Sequence, residues 1–161
     1  MSPVDKEVLD GLSLGIQAEL ASYVFYKKSM ELTKDAQLRD ILAELAGEEK
    51  HHYLVLESQY DNLVRSEMWN TVTDVIRKEG LPDINERMDD VEEELLEEVS
   101  ESTTPMRILE IGLILEERAF NLYSDLAKKV ADPKGKDTYE YLAKFEKGHV
   151  LKIQKMMKNY R

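Results

Sequence analysis

Apolar residues recur every three or four positions along four stretches of this chain, the spacing that lines them up on one face of an α-helix. The first stretch opens at Ser2-Pro3, with Pro at the first helical position, and runs to about Lys34. Its stripe is Leu9, Leu12, Ile16, Tyr23, Tyr26 and Met30, with one gap that Glu19 fills. A turn at Thr33-Lys34-Asp35 leads into a second helix, from about Asp35 to Tyr60, with the stripe Leu38, Leu42, Leu45, Glu49, His52 and Leu56. Thr104-Pro105 starts a third helix as N-cap and first helical residue, its stripe Leu109, Leu113, Glu116, Phe120, Tyr123, Ala127 and Val130. After a turn at Ala131-Asp132-Pro133, a fourth helix presents Tyr139, Leu142, Glu146, His149, Ile153 and Met156. All four apolar seams therefore carry glutamate, and two carry histidine as well.

The segment between the two helix pairs, from about 61 to 104, follows a different pattern. Val64, Met68, Val72 and Ile76 mark an amphipathic helix that Gly80-Leu81-Pro82 should end. Asn85 to Val99 is strongly acidic, with Met88, Val91 and Leu95 as a thin apolar stripe and the rest a solvated face. The pattern predicts an all-α four-helix bundle in one domain: a first repeat over about 3–60, a helical crossover over about 61–104 and a second repeat over about 105–158. Trp69 reads as a packing or interface anchor, and an exposed face around Met68 and Trp69 leads to the expectation of a homodimer.

The two helix pairs are copies of one another. Glu19, Tyr26, Glu49 and His52 each recur 97 positions later, as Glu116, Tyr123, Glu146 and His149, with no gap between the repeats. Glu19 lies 15 residues before Lys34 and Glu49 lies 15 after it, so an antiparallel hairpin sets both at one height, about 22 Å from the turn at 1.5 Å per residue. Glu116 and Glu146 stand in the same relation to Ala131.

Composition narrows the chemistry. A formal net charge of −11 argues against a nucleic-acid partner, which requires a basic face. No run of about 18 apolar residues is present to span a bilayer, and the N-terminus lacks the basic-then-apolar order of a signal peptide, so a cytoplasmic location is expected. With no cysteine among the 161 residues, thiolate metal sites and iron–sulfur centres are excluded.

Four carboxylates on apolar seams cost several kcal/mol each to bury unpaired, and no Lys or Arg occupies a matching seam position. Two divalent cations would balance four Glu, and two imidazoles would give each ion one nitrogen. The Glu-x-x-His spacing sets both donors on one helix face a turn apart. The donor set suits iron or manganese. Glu19, Glu49, His52, Glu116, Glu146 and His149 are therefore the predicted metal ligands and catalytic set. Glu48 with His51 offers a competing register, but its counterpart in the second repeat is Phe145 with Gly148, which cannot bind metal; a solvent-exposed pair is expected there. Tyr26 and Tyr123 carry two readings, plain core aromatics or hydrogen-bond donors that orient a ligating carboxylate. The N-terminal lean of helical side chains points each ring at the Glu seven residues earlier.

On Glu19-x6-Tyr26, Glu49-x-x-His52, Glu116-x6-Tyr123 and Glu146-x-x-His149, in that order, the chain resembles the ferritin-like superfamily and, within it, the diiron domain of rubrerythrins. The resemblance covers residues 5–60 and 105–158. It implies Glu49 and Glu146 as bridging carboxylates, Glu19 and Glu116 as terminal ones, and His52 and His149 completing the two ions. Two departures accompany it. A rubredoxin-type iron domain needs cysteines that this sequence lacks, and Ala119 stands where rubrerythrins carry a further Glu one turn after the third-helix ligand. The function this implies is a diiron carboxylate oxidoreductase that reacts with hydrogen peroxide or dioxygen and draws electrons from a separate donor protein, with manganese in place of iron left open. The alternatives are a ferritin-type protein that oxidises and handles iron, a manganese catalase-like reaction, and a bundle that a metal merely ties together.

Overall fold

The computed structural model describes residues 6–66, 68–77 and 94–161. Four long helices dominate: α1 (Lys6–Leu32), α2 (Ala36–Ser66), α5 (Pro105–Lys129) and α6 (Pro133–Met157). Two short ones, α3 (Val72–Arg77) and α4 (Glu94–Glu97), lie on the crossover, and a 3-10 turn over Lys158–Tyr160 follows α6. No strand occurs among the described residues. Helix α1 packs on α2 and α5 on α6, while α1 against α5 joins the two pairs into an all-α four-helix bundle. No helix of the described residues is long and apolar enough to cross a membrane.

Three of the long helices, α2, α5 and α6, start where the sequence provides a cap. Thr104 accepts a hydrogen bond from Arg107 N at 3.2 Å, with Pro105 at the first helical position. Asp132 does the same for Lys134 N at 2.8 Å. In the first turn Asp35 Oδ1 accepts from Leu38 N at 3.0 Å, and Tyr160 OH donates to Asp35 Oδ2, which pins the C-terminal turn to the α1–α2 hairpin. The predicted seams of α2 and α6 are buried along their whole length.

The crossover departs from its predicted form in three ways. Helix α2 runs to Ser66, six residues beyond Tyr60. No Gly or Pro interrupts 61–66, Leu63 extends the seam one heptad past Leu56 and is buried, and Asp61 pairs with Arg65 one turn on. The single helix expected through Val64, Met68, Val72 and Ile76 is instead broken, with 68–71 non-helical between α2 and α3. Gln59, fully buried, explains the break. Its side chain accepts from Asn70 N at 2.9 Å and donates to Asn70 O at 2.8 Å and Thr138 Oγ1 at 3.0 Å, so the chain is held out of helical geometry there. Trp69, finally, is not part of an exposed face. It is 4% exposed and packs edge-on against Tyr139 at 5.7 Å, leaving Met68 and Val64 as the exposed apolar residues of this region. The ends expected at Ser2-Pro3 and Gly80-Leu81-Pro82, and the stripe positions Met88 and Val91, lie outside the described residues. Leu96 and Val99 are buried, and Lys28 Nζ donates to Leu96 O at 2.7 Å, tying α4 to α1.

Trp69 fits because Gly135 lies beneath it. A Cβ at Gly135 would come within 2.7 Å of Trp69 Cε2 and 2.9 Å of Val130 Cγ2. Gly47, on α2, has open space at the same test. Alanine is the better helix former by up to about 1 kcal/mol. Gly47→Ala should therefore stabilise the protein by about 0.5–1 kcal/mol, whereas Gly135→Ala should destabilise it by about 1–3 kcal/mol through overpacking. Urea unfolding of both variants checks this, and equal stabilisation by the two would contradict the packing described.

Candidate metal centre

All six seam Glu and His residues converge at mid-bundle, and each is buried. They form two overlapping clusters, Glu19–Glu49–His52–Glu146 and Glu49–Glu116–Glu146–His149, in each of which one donor atom per residue lies within 4.8 Å of the others. Glu49 and Glu146 belong to both clusters. The match in height inferred from the hairpin arithmetic is thus the observed geometry.

Both imidazoles turn Nδ1 toward the carboxylates. His52 Nδ1 is 3.1 Å from Glu146 Oε1 and 3.7 Å from Glu19 Oε1. His149 Nδ1 is 2.8 Å from Glu49 Oε1 and 3.2 Å from Glu116 Oε1. The two rings stack with centroids 5.8 Å apart.

The tyrosines bond across the repeats. Tyr26 OH donates to Glu116 Oε1 at 2.5 Å, and Tyr123 OH donates to Glu19 Oε1 at 2.6 Å and to Gly15 O at 3.2 Å. The direction expected from side-chain lean, each ring toward its own helix's Glu, is therefore corrected. Helices α1 and α5 pack against one another, so each hydroxyl meets the carboxylate of the facing helix. Gly15 makes room for this approach, whereas at Gly112 a Cβ would make ordinary contact. A Cβ at Gly15 would stand 3.1 Å from Tyr123 Cε1, and one at Gly112 would stand 3.5 Å from Tyr26 Cε1. Gly15 and Gly112 are themselves 97 positions apart, a signal of the duplication that the reading of charged residues passed over.

Glu48 also departs from its expected place. It is only about one-third exposed, and its carboxylate contacts His149 Nε2 rather than standing in solvent with His51. His51 is half-buried, with Nε2 3.4 Å from Tyr141 OH. The face of α2 that carries both residues is covered by α6, which supplies the partners of each.

The electrostatics are those of a site short of positive charge. Burial, then the neighbouring Glu116 and Glu146, push the Glu49 carboxyl well above its usual value. Burial, then Glu19 and Glu116, do the same to Glu146. Burial acts against ionisation of Glu116 too, but hydrogen bonds from Glu146, His149 and Tyr26 outweigh it and hold Glu116 low, at about 2. Burial lowers His52, whereas Glu116 and Glu48 overcome burial at His149 and raise it. Burial and the carboxylate charges raise both tyrosines, Tyr26 next to Glu116 and Tyr123 next to Glu19, so each remains a phenol donor.

No protein-family model matches this chain, and no curated protein or solved structure matches it either. The capability of the site is therefore read from its own atoms. Glu19 Oε2, Glu49 Oε2, Glu116 Oε2, Glu146 Oε2 and His52 Nε2 are buried with no hydrogen-bond partner among the described residues. No Lys or Arg among the described residues is buried to neutralise them. Oxygen-rich donors with one imidazole per cluster, unsatisfied and acidic, fit a pair of divalent cations of the iron or manganese type.

Without metal, the raised carboxyls link stability to pH. A proton on Glu49 favours the folded state; this contribution is complete below the ordinary Glu value of 4.5 and is lost as pH rises through the higher folded value. A neutral Gln there escapes the loss. In chelator, Glu49→Gln should be more stable than the native protein by a margin that widens from pH 5 to pH 8, by up to about 1.4 kcal/mol per pH unit. Thermal unfolding across that range checks it, and a margin independent of pH would contradict the burial of ionised glutamates.

Proposed function

We propose that this protein is a diiron carboxylate oxidoreductase of the rubrerythrin type, reacting with hydrogen peroxide or dioxygen. The observation that carries the proposal is the pair of buried clusters sharing Glu49 and Glu146, with four carboxylates and no buried Lys or Arg among the described residues to balance them. Glu19 and His52 would hold one ion, Glu116 and His149 the other, and Glu49 and Glu146 would serve both. Iron bound there would supply the electrons that reduce the oxidant.

The chain's own residues prepare the site. Tyr26 and Tyr123 each fix one oxygen of a terminal glutamate and leave the other, Glu116 Oε2 or Glu19 Oε2, for metal. Fully buried Leu12, Leu45, Leu56 and Tyr53 pack the core around the ligands and exclude water. At the His149 edge, a surface cavity of about 290 Å³ lined by Glu48, Lys144, Phe145, Gly148 and Lys152 gives a small oxidant a way in. A separate electron-donor protein would return the iron to its reduced state, in the cytoplasm.

A second reading has its own support: the ligands come from all four long helices, so a metal pair could serve only to tie the hairpins together. Anaerobic loading with iron(II) followed by a peroxide challenge separates the two. The oxidoreductase reading predicts about two irons per chain and one peroxide consumed per two irons oxidised, faster than free iron(II) in the same buffer. Two irons bound with no acceleration over the buffer control would favour the structural reading, and failure to take up iron would end both.

A further inference from the structure

Among the positions beside the centre where the duplication breaks, one pair touches both histidine ligands. Glu48 and Phe145 are 97 apart and immediately precede Glu49 and Glu146. From α2, Glu48 reaches across the bundle to Nε2 of His149 on α6. Under the exchange of repeats that relates the two tyrosine bonds, Phe145 on α6 should face His52 on α2, and it does, edge-on with centroids 5.2 Å apart. A phenyl ring accepts no ordinary hydrogen bond, and His52 Nε2 has no partner among the described residues. The inner nitrogens are alike, both Nδ1 atoms facing the carboxylates. The two histidines therefore differ at the outer nitrogen.

That difference has a chemical consequence. Once a metal takes the Nδ1 lone pair the ring proton is on Nε2, and a carboxylate accepting from that Nε2–H locks the ring plane and makes Nδ1 a better ligand; such partners are worth about 10–100-fold in metal affinity. Glu48 is itself held in place. Lys152 Nζ lies 3.8 Å from Glu48 Oε1 and 2.6 Å from Glu44 Oε1, on the rim of the same cavity. His52 meets only ring edges on that side, those of Phe145 and Tyr141, with no hydrogen-bond partner for Nε2 among the described residues, and its Nδ1 is free to keep the proton and donate to Glu146. We propose that Glu48 is a positioning residue for His149 and makes the two metal positions unequal, so that the His149 cluster fills first. This rests on the metal-centre reading and adds to it an order of filling.

The test is a zinc(II) titration of metal-free protein with ¹⁵N-labelled histidine, following the imidazole nitrogens of the three histidines by NMR. In the native protein His149 Nδ1 should shift first and His52 Nδ1 only at higher zinc, the two steps separated by about tenfold or more. Glu48→Ala should weaken the His149 step by about 10–100-fold and abolish the order of filling. Glu48→Gln, which keeps an oxygen acceptor, should restore part of the affinity and the order. Phe145→Glu should give His52 the partner it lacks and draw its step toward that of His149, a gain that a damaged fold cannot produce. Simultaneous filling in the native protein, His52 filling first, or an unchanged order in Glu48→Ala would overturn the proposal while leaving a two-metal centre intact. No zinc bound by the native protein would remove the centre itself.

Discussion

Four glutamates share one core with two imidazoles and no buried lysine or arginine among the described residues, and the rest of the bundle is arranged around that burden. Burial of an ionised carboxylate is expensive, and each further one within 4.8 Å adds repulsion. The protein alone relieves only part of this. Glu116 is stabilised by the donors around it, at the expense of Glu146, which is driven toward its protonated form. The crossed tyrosine bonds place a phenol donor on Glu116 and on Glu19, and Gly15 leaves room for the Tyr123 ring. The carboxylate oxygens that remain unsatisfied belong to the two clusters, where a pair of cations would meet them.

Much of this was legible in the sequence because a helix converts residue spacing into direction and height. Repeat positions, seams and the distance of each glutamate from its turn are one-dimensional quantities that survive folding, and they brought the six ligand candidates to one level. Thr104-Pro105 and Asp132-Pro133 were equally readable, since a cap acts within its own turn. The failures came where a partner on another helix decides the outcome. Tyr26 and Tyr123 bond across the α1–α5 interface, Glu48 is held by α6, and Trp69 turns inward onto Gly135 and Tyr139. The crossover broke the predicted helix for the same reason, because buried Gln59 offers the Asn70 backbone better bonds than a continuing helix would.

The duplication supplies symmetry, and its imperfections supply the individuality of the site. Tyr26 with Tyr123, and Gly15 with Gly112, keep the two halves alike where the helices touch. Glu48 against Phe145, and His51 against Gly148, separate them where the bundle opens to the cavity beside His149. A centre built from equal halves in the core is thus unequal at its exposed edge, the side from which metal and oxidant would approach.

The central claim is that two metal ions sit between Glu49 and Glu146. Anomalous diffraction from crystals grown with manganese(II) tests it most directly. The account predicts two strong peaks in the bundle core, both within bonding distance of Glu49 and Glu146, one beside His52 and the other beside His149. Ordered glutamates with no anomalous peak between them, or peaks only on the acidic surface, would contradict it.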